Sequence, residues 1–420
     1  ALCDELYKIL GEGFRFIETE PIEAFRAKMG WGKEEVPVYV LRSYESAENE
    51  ALACDLALNS DIVVMGTAPE RYLKERLDRN GITFRYSERP LKEGRWKIFV
   101  PYLAKKFYVN HISNREKPIY CICAGAFVSS DFKFLLDSYK DKCYKFGYFP
   151  FPEEKSYEEL SALKGQNNRI RILWCGRFLK LKRADLLIRA ASEAMKAGFD
   201  FDLELVGDGE EEHRLRDLVR ETGLEDRTVF TGYMSPEDTR AEMEKADIYV
   251  CTSNKLEGWG AVIYEGLAAG CAVIATSQAG ATPFLIKDGV TGRVYRSGSV
   301  KSLTDKLIAC LKDTEAARRM GYNAYSQMQE SWNPKTAAER LTEVAGRLMN
   351  GETFFYDDGP MSRAEILYEN WYKEADASDL NVVAVTGKGM RENDGENTGK
   401  GMRENDGENT GENTGKGTGS

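Results

Sequence analysis

The segment RIRILWCGRFLKLKRADLLIRAASEAMKAGFDFDLELVGDG, residues 169–209, decides the fold. An apolar run at 171–175 and a second at 201–206 flank a stretch, 183–197, whose apolar residues recur at helical spacing. The segment therefore reads strand, loop, helix, strand. Beyond it, strand patterns at 228–231, 248–252 and 272–276 alternate with helical patterns near 210–222, 236–245 and 259–269. Their fully apolar cores predict a parallel sheet buried on both faces. Helices follow near 299–312, 314–330 and 334–349.

Toward the N-terminus the same alternation continues, with strand candidates at 14–18, 36–41, 61–65, 82–86, 119–123 and 144–149. Helical patterns fill 43–60 and 70–80. The stretch FPFPEEKSYEELSALKGQNN, 149–168, reads as a linker from its prolines, charges and Gly-Gln-Asn-Asn end. The expected architecture is α/β, with two Rossmann-like doubly wound domains at 1–155 and 168–330 facing a cleft. Residues 331–380 are expected to supply C-terminal helices that cross back onto the first domain. The chain opens on a helix carrying Leu2, Leu6, Ile9 and Leu10 rather than on a central strand. The first domain is accordingly expected to lack its first strand, a variant topology being the alternative. From Thr386 the repeated TGKGMRENDGEN has too little apolar surface to offset ordering entropy, so 386–420 is predicted to be a disordered tail.

Composition narrows the function. The 420 residues exceed the size at which one core usually divides. A net charge of −10 argues against a nucleic-acid partner. No apolar run reaches the length of a membrane span, and ALCDELYKIL does not resemble a signal peptide. Nine cysteines, several inside apolar strands, read as buried thiols of a reducing, cytoplasmic compartment. Only two histidines, His111 and His213, leave little for a histidine metal centre.

Chemistry concentrates after two strands of the second half. Arg177 and Lys182 follow the first strand, beside a helix start, where two cations suit a polyanion such as a diphosphate. After strand 248–252, Glu257 and Glu265 stand eight apart, with Gly258 and Gly260 bracketing Trp259. The glycines permit close backbone approach to a ligand, and the carboxylates suit sugar hydroxyls. Val206-Gly207-Asp208-Gly209 lacks the third glycine of a dinucleotide fingerprint, position 212 being Glu, which excludes a nicotinamide enzyme. Asp200-Phe201-Asp202 leads into a strand and is read as no metal motif. In the first half, residues 71–117 hold thirteen Lys/Arg against five Asp/Glu, interleaved with Phe84, Tyr86, Trp96, Phe99, Tyr102, Phe107 and Tyr108. That segment suits anionic lipid headgroups or a lipid-linked diphosphate, a solvated basic face being the alternative.

From about 169 to 312 the chain resembles the nucleotide-sugar domain of retaining family-four glycosyltransferases with the GT-B fold. Gly176-Arg177 with Lys182, Gly207-Asp208-Gly209, Phe230-Thr231-Gly232, Glu257 with Glu265, and GCAVIATSQAGATPFLIKDGVTG at 270–292 carry the resemblance, in order. It implies a nucleotide-diphosphate sugar as co-substrate, with no cofactor and no metal. Arg177 and Lys182 would hold the diphosphate, with Gly176 in the same loop. Glu257 and the amides around Gly258, Trp259 and Gly260 would hold the transferred sugar. Glu265 would take the ribose hydroxyls, Gly232, Tyr233 and Leu256 would flank the base, and Thr282 would lie near sugar and phosphates. Residues 123–150 resemble the end of the first domain in bacterial polysaccharide-assembly members. There Gly125 is expected to face the cleft, and His111 is a candidate for facing the donor sugar, a helix-end histidine being the alternative. The implied enzyme is a retaining, metal-independent hexosyltransferase of polysaccharide biosynthesis. It would be cytoplasmic, peripheral at the inner membrane, and act on a glycan or lipid-linked acceptor. The competing readings are a catalytically silent donor-binding module and a sugar-nucleotide epimerase.

Overall fold

A computed structural model describes residues 1–22, 35–150 and 155–373, and Ala1–Glu374 form one compact unit. The repeat tail expected at 386–420 and the end of the 331–380 segment lie outside the described residues. The described strands make three parallel sheets. β1 (Phe16–Glu18) pairs with β2 (Val40–Arg42) alone. β3 (Val63–Met65), β4 (Thr83–Ser87), β5 (Ile119–Ala124) and β6 (Cys143–Phe146) lie side by side in chain order. β7 (Ile170–Cys175), β8 (Phe201–Val206), β9 (Thr228–Gly232), β10 (Ile248–Cys251), β11 (Ala272–Thr276) and β12 (Arg293–Tyr295) form the largest sheet, ordered β12-β11-β10-β7-β8-β9.

The two-residue period of the central strands β7, β10 and β11 feeds a core on each face of this sheet. Ile172, Trp174, Ile248, Val250, Ala272 and Ile274 enter one core. Their alternates Leu173, Cys175, Tyr249, Cys251, Val273 and Ala275 enter the other. The chain builds outward from β7 to β9, returns, and builds the other way from β10 to β12. The loops after β7 and β10 therefore part in opposite directions and leave a crevice at their carboxyl ends.

The strands predicted in the second half are all present. The short β12 and the single-turn helix Thr282–Leu285 were not predicted, being too brief to show a period. In the first half the six predicted strands also exist, but β1 and β2 stand apart, packing through Ile17 and Leu41 on Ala53, Ala57 and Tyr72. Within the expected linker, Tyr157–Lys164 is a helix begun by a reciprocal Ser156–Glu159 cap. Lys164 docks it, its Nζ donating to the Glu244 carbonyl at 2.7 Å.

The helix Pro334–Met349 packs on the N-terminal helix Leu2–Leu10, but the residues after it correct the expectation of further helices. Asp358-Gly359-Pro360 interrupts any helix, and the chain runs instead beside β6. Met361 N donates to Lys145 O at 2.8 Å, Lys145 N to Ser362 O at 2.7 Å and Ala364 N to Cys143 O at 3.0 Å. Trp371 Nε1 then donates to Ser277 O and Tyr372 OH to Val294 O. The segment is a strap joining the β6 edge to the large sheet.

His111 is not at the cleft. It caps the helix Pro101–Asn110, which runs back toward the amino ends of β5 and β6, opposite the loops carrying Gly125. Its Nδ1 lies 2.8 Å from the Tyr139 hydroxyl and its ring 5.0 Å from that of Phe132. Burial, reinforced by Arg85 and Lys106, lowers its pKa to about 3.

Three glycine backbones close the gap between the two larger sheets. Ala126 N donates to Gly280 O at 2.9 Å. A Cβ on Gly280 would stand 2.0 Å from the Gly258 carbonyl oxygen, and one on Gly125 3.0 Å from it. Gly280→Ala is expected to destabilise the protein by at least about 2 kcal/mol, because rigid backbone opposes the added methyl; denaturant unfolding measures it. His111 gives a second expectation. Between pH 6.5 and its lowered pKa the unfolded chain binds a proton that the folded chain refuses. Its contribution is thus fully present above pH 6.5 and lost as pH falls toward 3, by up to about 1.4 kcal/mol per pH unit. Urea unfolding of His111→Phe should show a shallower loss than the parent between pH 7 and 5.

Candidate active site

Hydrogen bonds through Thr252 set the two crevice loops. Its hydroxyl accepts from Trp174 Nε1 at 2.8 Å and donates to Lys182 O at 2.6 Å, while Asn254 N donates to Leu181 O at 2.8 Å. The loop after β7 is thereby stitched to the loop after β10. Lys182 Nζ consequently meets Glu257 Oε2 at 2.6 Å, and Ser253 Oγ donates to the same oxygen at 2.9 Å. Lysine has three N–H donors, so this pairing leaves two for a ligand.

Around that pair stand groups with spare capacity. Arg177 is exposed, and no hydrogen-bond or ion-pair partner of its guanidinium is found among the described residues. Glu265 is half-buried in the helix Ala261–Ala268. Desolvation holds its carboxyl above the usual range, Arg240 partly offsetting the shift, and no donor to it is found among the described residues. The amides of Gly258, Trp259 and Gly260 likewise have no acceptor among the described residues. Gly176 ends β7 against Gly207, whose Cβ, if present, would lie 2.0 Å from the Gly176 carbonyl oxygen; only glycine allows these loops to touch. Gly232 ends β9, and the exposed Tyr233 follows at the same edge of the sheet. Leu256 is half-buried beside Asn254, which accepts from its amide at 3.0 Å.

The side chains of Trp259 and Thr282 face the core, which leaves open the backbone contact expected of Trp259. Trp259 is core: its indole is 1% exposed and packs near Tyr148, Phe284 and Trp332. Only its backbone remains for a ligand. The Thr282 side chain is buried, its hydroxyl donating to Thr276 O at 2.8 Å. Gly125 does reach the junction, against Gly258 and Gly280.

Glu88 is a residue that sequence reasoning missed. It follows β4, accepts from Tyr148 OH at 2.9 Å, pairs with Lys92 at 3.3 Å, and lies against the α-carbon of Gly258. Its position one residue past a strand's carboxyl end was the available signal. The basic segment 71–117 is also not one charged face. Arg76, Arg85 and Arg89 are buried, serving the carbonyls of Ser60, Asp61 and Ile82, the carboxylate of Glu70, and those of Asp131 and Glu369. What remains outside is both basic and aromatic: Arg71, Lys74, Arg79, Arg95, Lys105, Lys106 and Arg115 are exposed, and so are Trp96, Phe99, Tyr102 and Tyr108.

The chain is similar to known proteins. Residues 157–327 match the family model described as glycosyl transferases group 1. Over 181 residues the chain is 31% identical to N-acetyl-alpha-D-glucosaminyl L-malate synthase of Bacillus anthracis, covering 43% of each protein. Over 199 residues it is 27% identical to a GDP-mannose-dependent alpha-(1-6)-phosphatidylinositol monomannoside mannosyltransferase of Mycolicibacterium smegmatis, covering 46% of this chain and 52% of that protein. The chain thus spans about half the length of the curated relatives it matches. The solved Anabaena Alr3699/HepE structure in complex with UDP superposes with a TM-score of 0.62 at 18% identity, covering 82% of this chain and 95% of that one. Residues 157–327 are thus similar to group 1 glycosyl transferases, and the chain has the GT-B fold.

Proposed function

We propose that the protein transfers a sugar, with retention of anomeric configuration and without a metal, from a nucleotide-diphosphate donor to a glycan or lipid-linked acceptor. The observation that carries this reading is the convergence of Lys182 and Glu257 at the β7/β10 crevice, 2.6 Å apart. The mycobacterial relative is named for a GDP-mannose donor and a phosphatidylinositol monomannoside acceptor, and HepE was solved with UDP. The donor and acceptor classes are proposed here on that pattern.

In this mechanism Arg177 and Lys182 take the diphosphate, with the amides of Gly258, Trp259 and Gly260 available to the same ligand. Glu257, steadied by Lys182 and Ser253, accepts hydrogen bonds from the sugar hydroxyls. Glu265 accepts from the ribose. As the glycosidic bond breaks, positive charge grows at the anomeric carbon and negative charge on the leaving diphosphate. The two cations neutralise the latter where water is partly excluded. Attack comes from the face the diphosphate leaves, and a phosphate oxygen takes the acceptor proton. Gly125 and Glu88 border the acceptor side.

Nucleotide release from a panel of nucleotide sugars, with added acceptors, tests the proposal. Lys182→Ala should lower kcat/KM about 100-fold or more, corresponding to about 3 kcal/mol of lost transition-state stabilisation. Glu265→Ala should act mainly on donor KM, about tenfold, as the loss of a charged hydrogen bond predicts. Absence of donor binding and turnover by the parent protein would remove the reading.

No helix among the described residues is long and apolar enough to cross a membrane. For the acceptor we propose peripheral contact with an anionic lipid surface through Trp96, Phe99 and Tyr102, flanked by Arg95, Lys105 and Lys106. Phe99 is 81% and Tyr102 74% exposed, as interfacial anchors require. Flotation with phosphatidylglycerol vesicles should carry the protein upward, and Phe99→Ser with Tyr102→Ser should leave it at the bottom without changing release from the donor alone.

A further inference from the structure

Three of the nine cysteines meet at one point, away from the crevice. Cys121 and Cys123 stand two apart in β5 and so share a face; Cys143, in β6, is the register partner of Cys121. The three Sγ atoms lie within 4.8 Å of one another, those of Cys121 and Cys123 at 3.7 Å. Cys121 and Cys123 are wholly buried. Cys143 lines a cavity of about 90 Å³ with Tyr139, Asp141 and Arg363, which gives the cluster a way out. We propose that these thiols form a trigonal binding site for a soft, thiophilic monovalent cation of the Cu(I) class.

The spacing and the ligand count select that class. Three sulfurs around one ion at a metal–thiolate distance of about 2.3 Å lie about 4 Å apart, within the observed range. Thiolates favour soft ions. Among the described residues no histidine, carboxylate or fourth thiol joins the group, so the tetrahedral set that zinc requires is incomplete. Cys143, the one member of the cluster that lines the cavity, is the entry ligand. Coordination breaks three S–H bonds, forms three S–metal bonds with no change of oxidation state, and releases three protons through the cavity. Arg363 lines the same cavity beside Cys143. A bound ion would clamp β5 to β6, the pair that ends at Gly125 and Gly147. This proposal is independent of the glycosyl-transfer reading.

The test uses the full chain with Cys3→Ser and Cys54→Ser, which removes the two cysteines that are not buried. Anaerobic titration with Cu(I) against a coloured chelator should load one equivalent and raise Tm. X-ray absorption of the loaded protein should give three sulfur neighbours at about 2.3 Å. Cys143→Ala and Cys123→Ala, checked for native circular dichroism, should each weaken retention at least 100-fold. Failure to retain copper, nitrogen or oxygen neighbours in place of three sulfurs, or unchanged retention by folded Cys143→Ala protein would each overturn the proposal. The absorption measurement requires no variant of the site and so stands even where a substitution prevents folding.

Discussion

The reversal of strand order between β7 and β10 is the constraint on which the rest depends. A right-handed parallel sheet grown in both directions from a central strand must leave its two central loops diverging. Here the hydroxyl of Thr252 bridges that divergence, joining the loop after β7 to the loop after β10 through Trp174 and the Lys182 carbonyl. The Lys182–Glu257 pair is the chemical consequence. A cation and an anion separated by 75 positions in the chain are held at 2.6 Å before any ligand arrives. Such preorganisation is what electrostatic catalysis requires, because groups already oriented need not reorganise as charge develops.

A second constraint brings the first-half loops against this crevice. Gly125, Gly258 and Gly280 meet backbone to backbone, where no side chain fits. Alongside, Trp259 is packed into aromatic neighbours from both halves, including Tyr148 and Trp332. One short motif therefore serves two purposes. The amides of 258–260 stay available while the indole between them anchors the junction. The strap through Met361–Ala364 and Trp371–Tyr372 ties the same two sheets from the other side.

Charge count proved a poor guide to charge placement. The segment 71–117 is strongly basic, yet three of its arginines are interior ties. Arg76 alone serves the carbonyls of Ser60, Asp61 and Ile82, a structural task for which a five-donor guanidinium is suited. The exposed remainder mixes seven cations with four aromatic rings. His111 illustrates the same point: a histidine in a suggestive sequence position is half-buried against Tyr139 at the opposite end of the sheet.

The sequence by itself determined β7 through β11, the longer helices between and after them, and the residues that follow those strands. Local periodicity and glycine spacing encode these: short runs bounded by turn residues and alternating with helical patterns read as strands β7 through β11. The tertiary structure alone decided which side chains of a motif face the crevice and which face the core. Trp259 and Thr282 turned inward, Glu88 arrived from a distant loop, and Cys143 joined Cys121 and Cys123 across β5 and β6. Such placements depend on register and on contacts between residues far apart in the chain, and no short stretch of sequence carries that information.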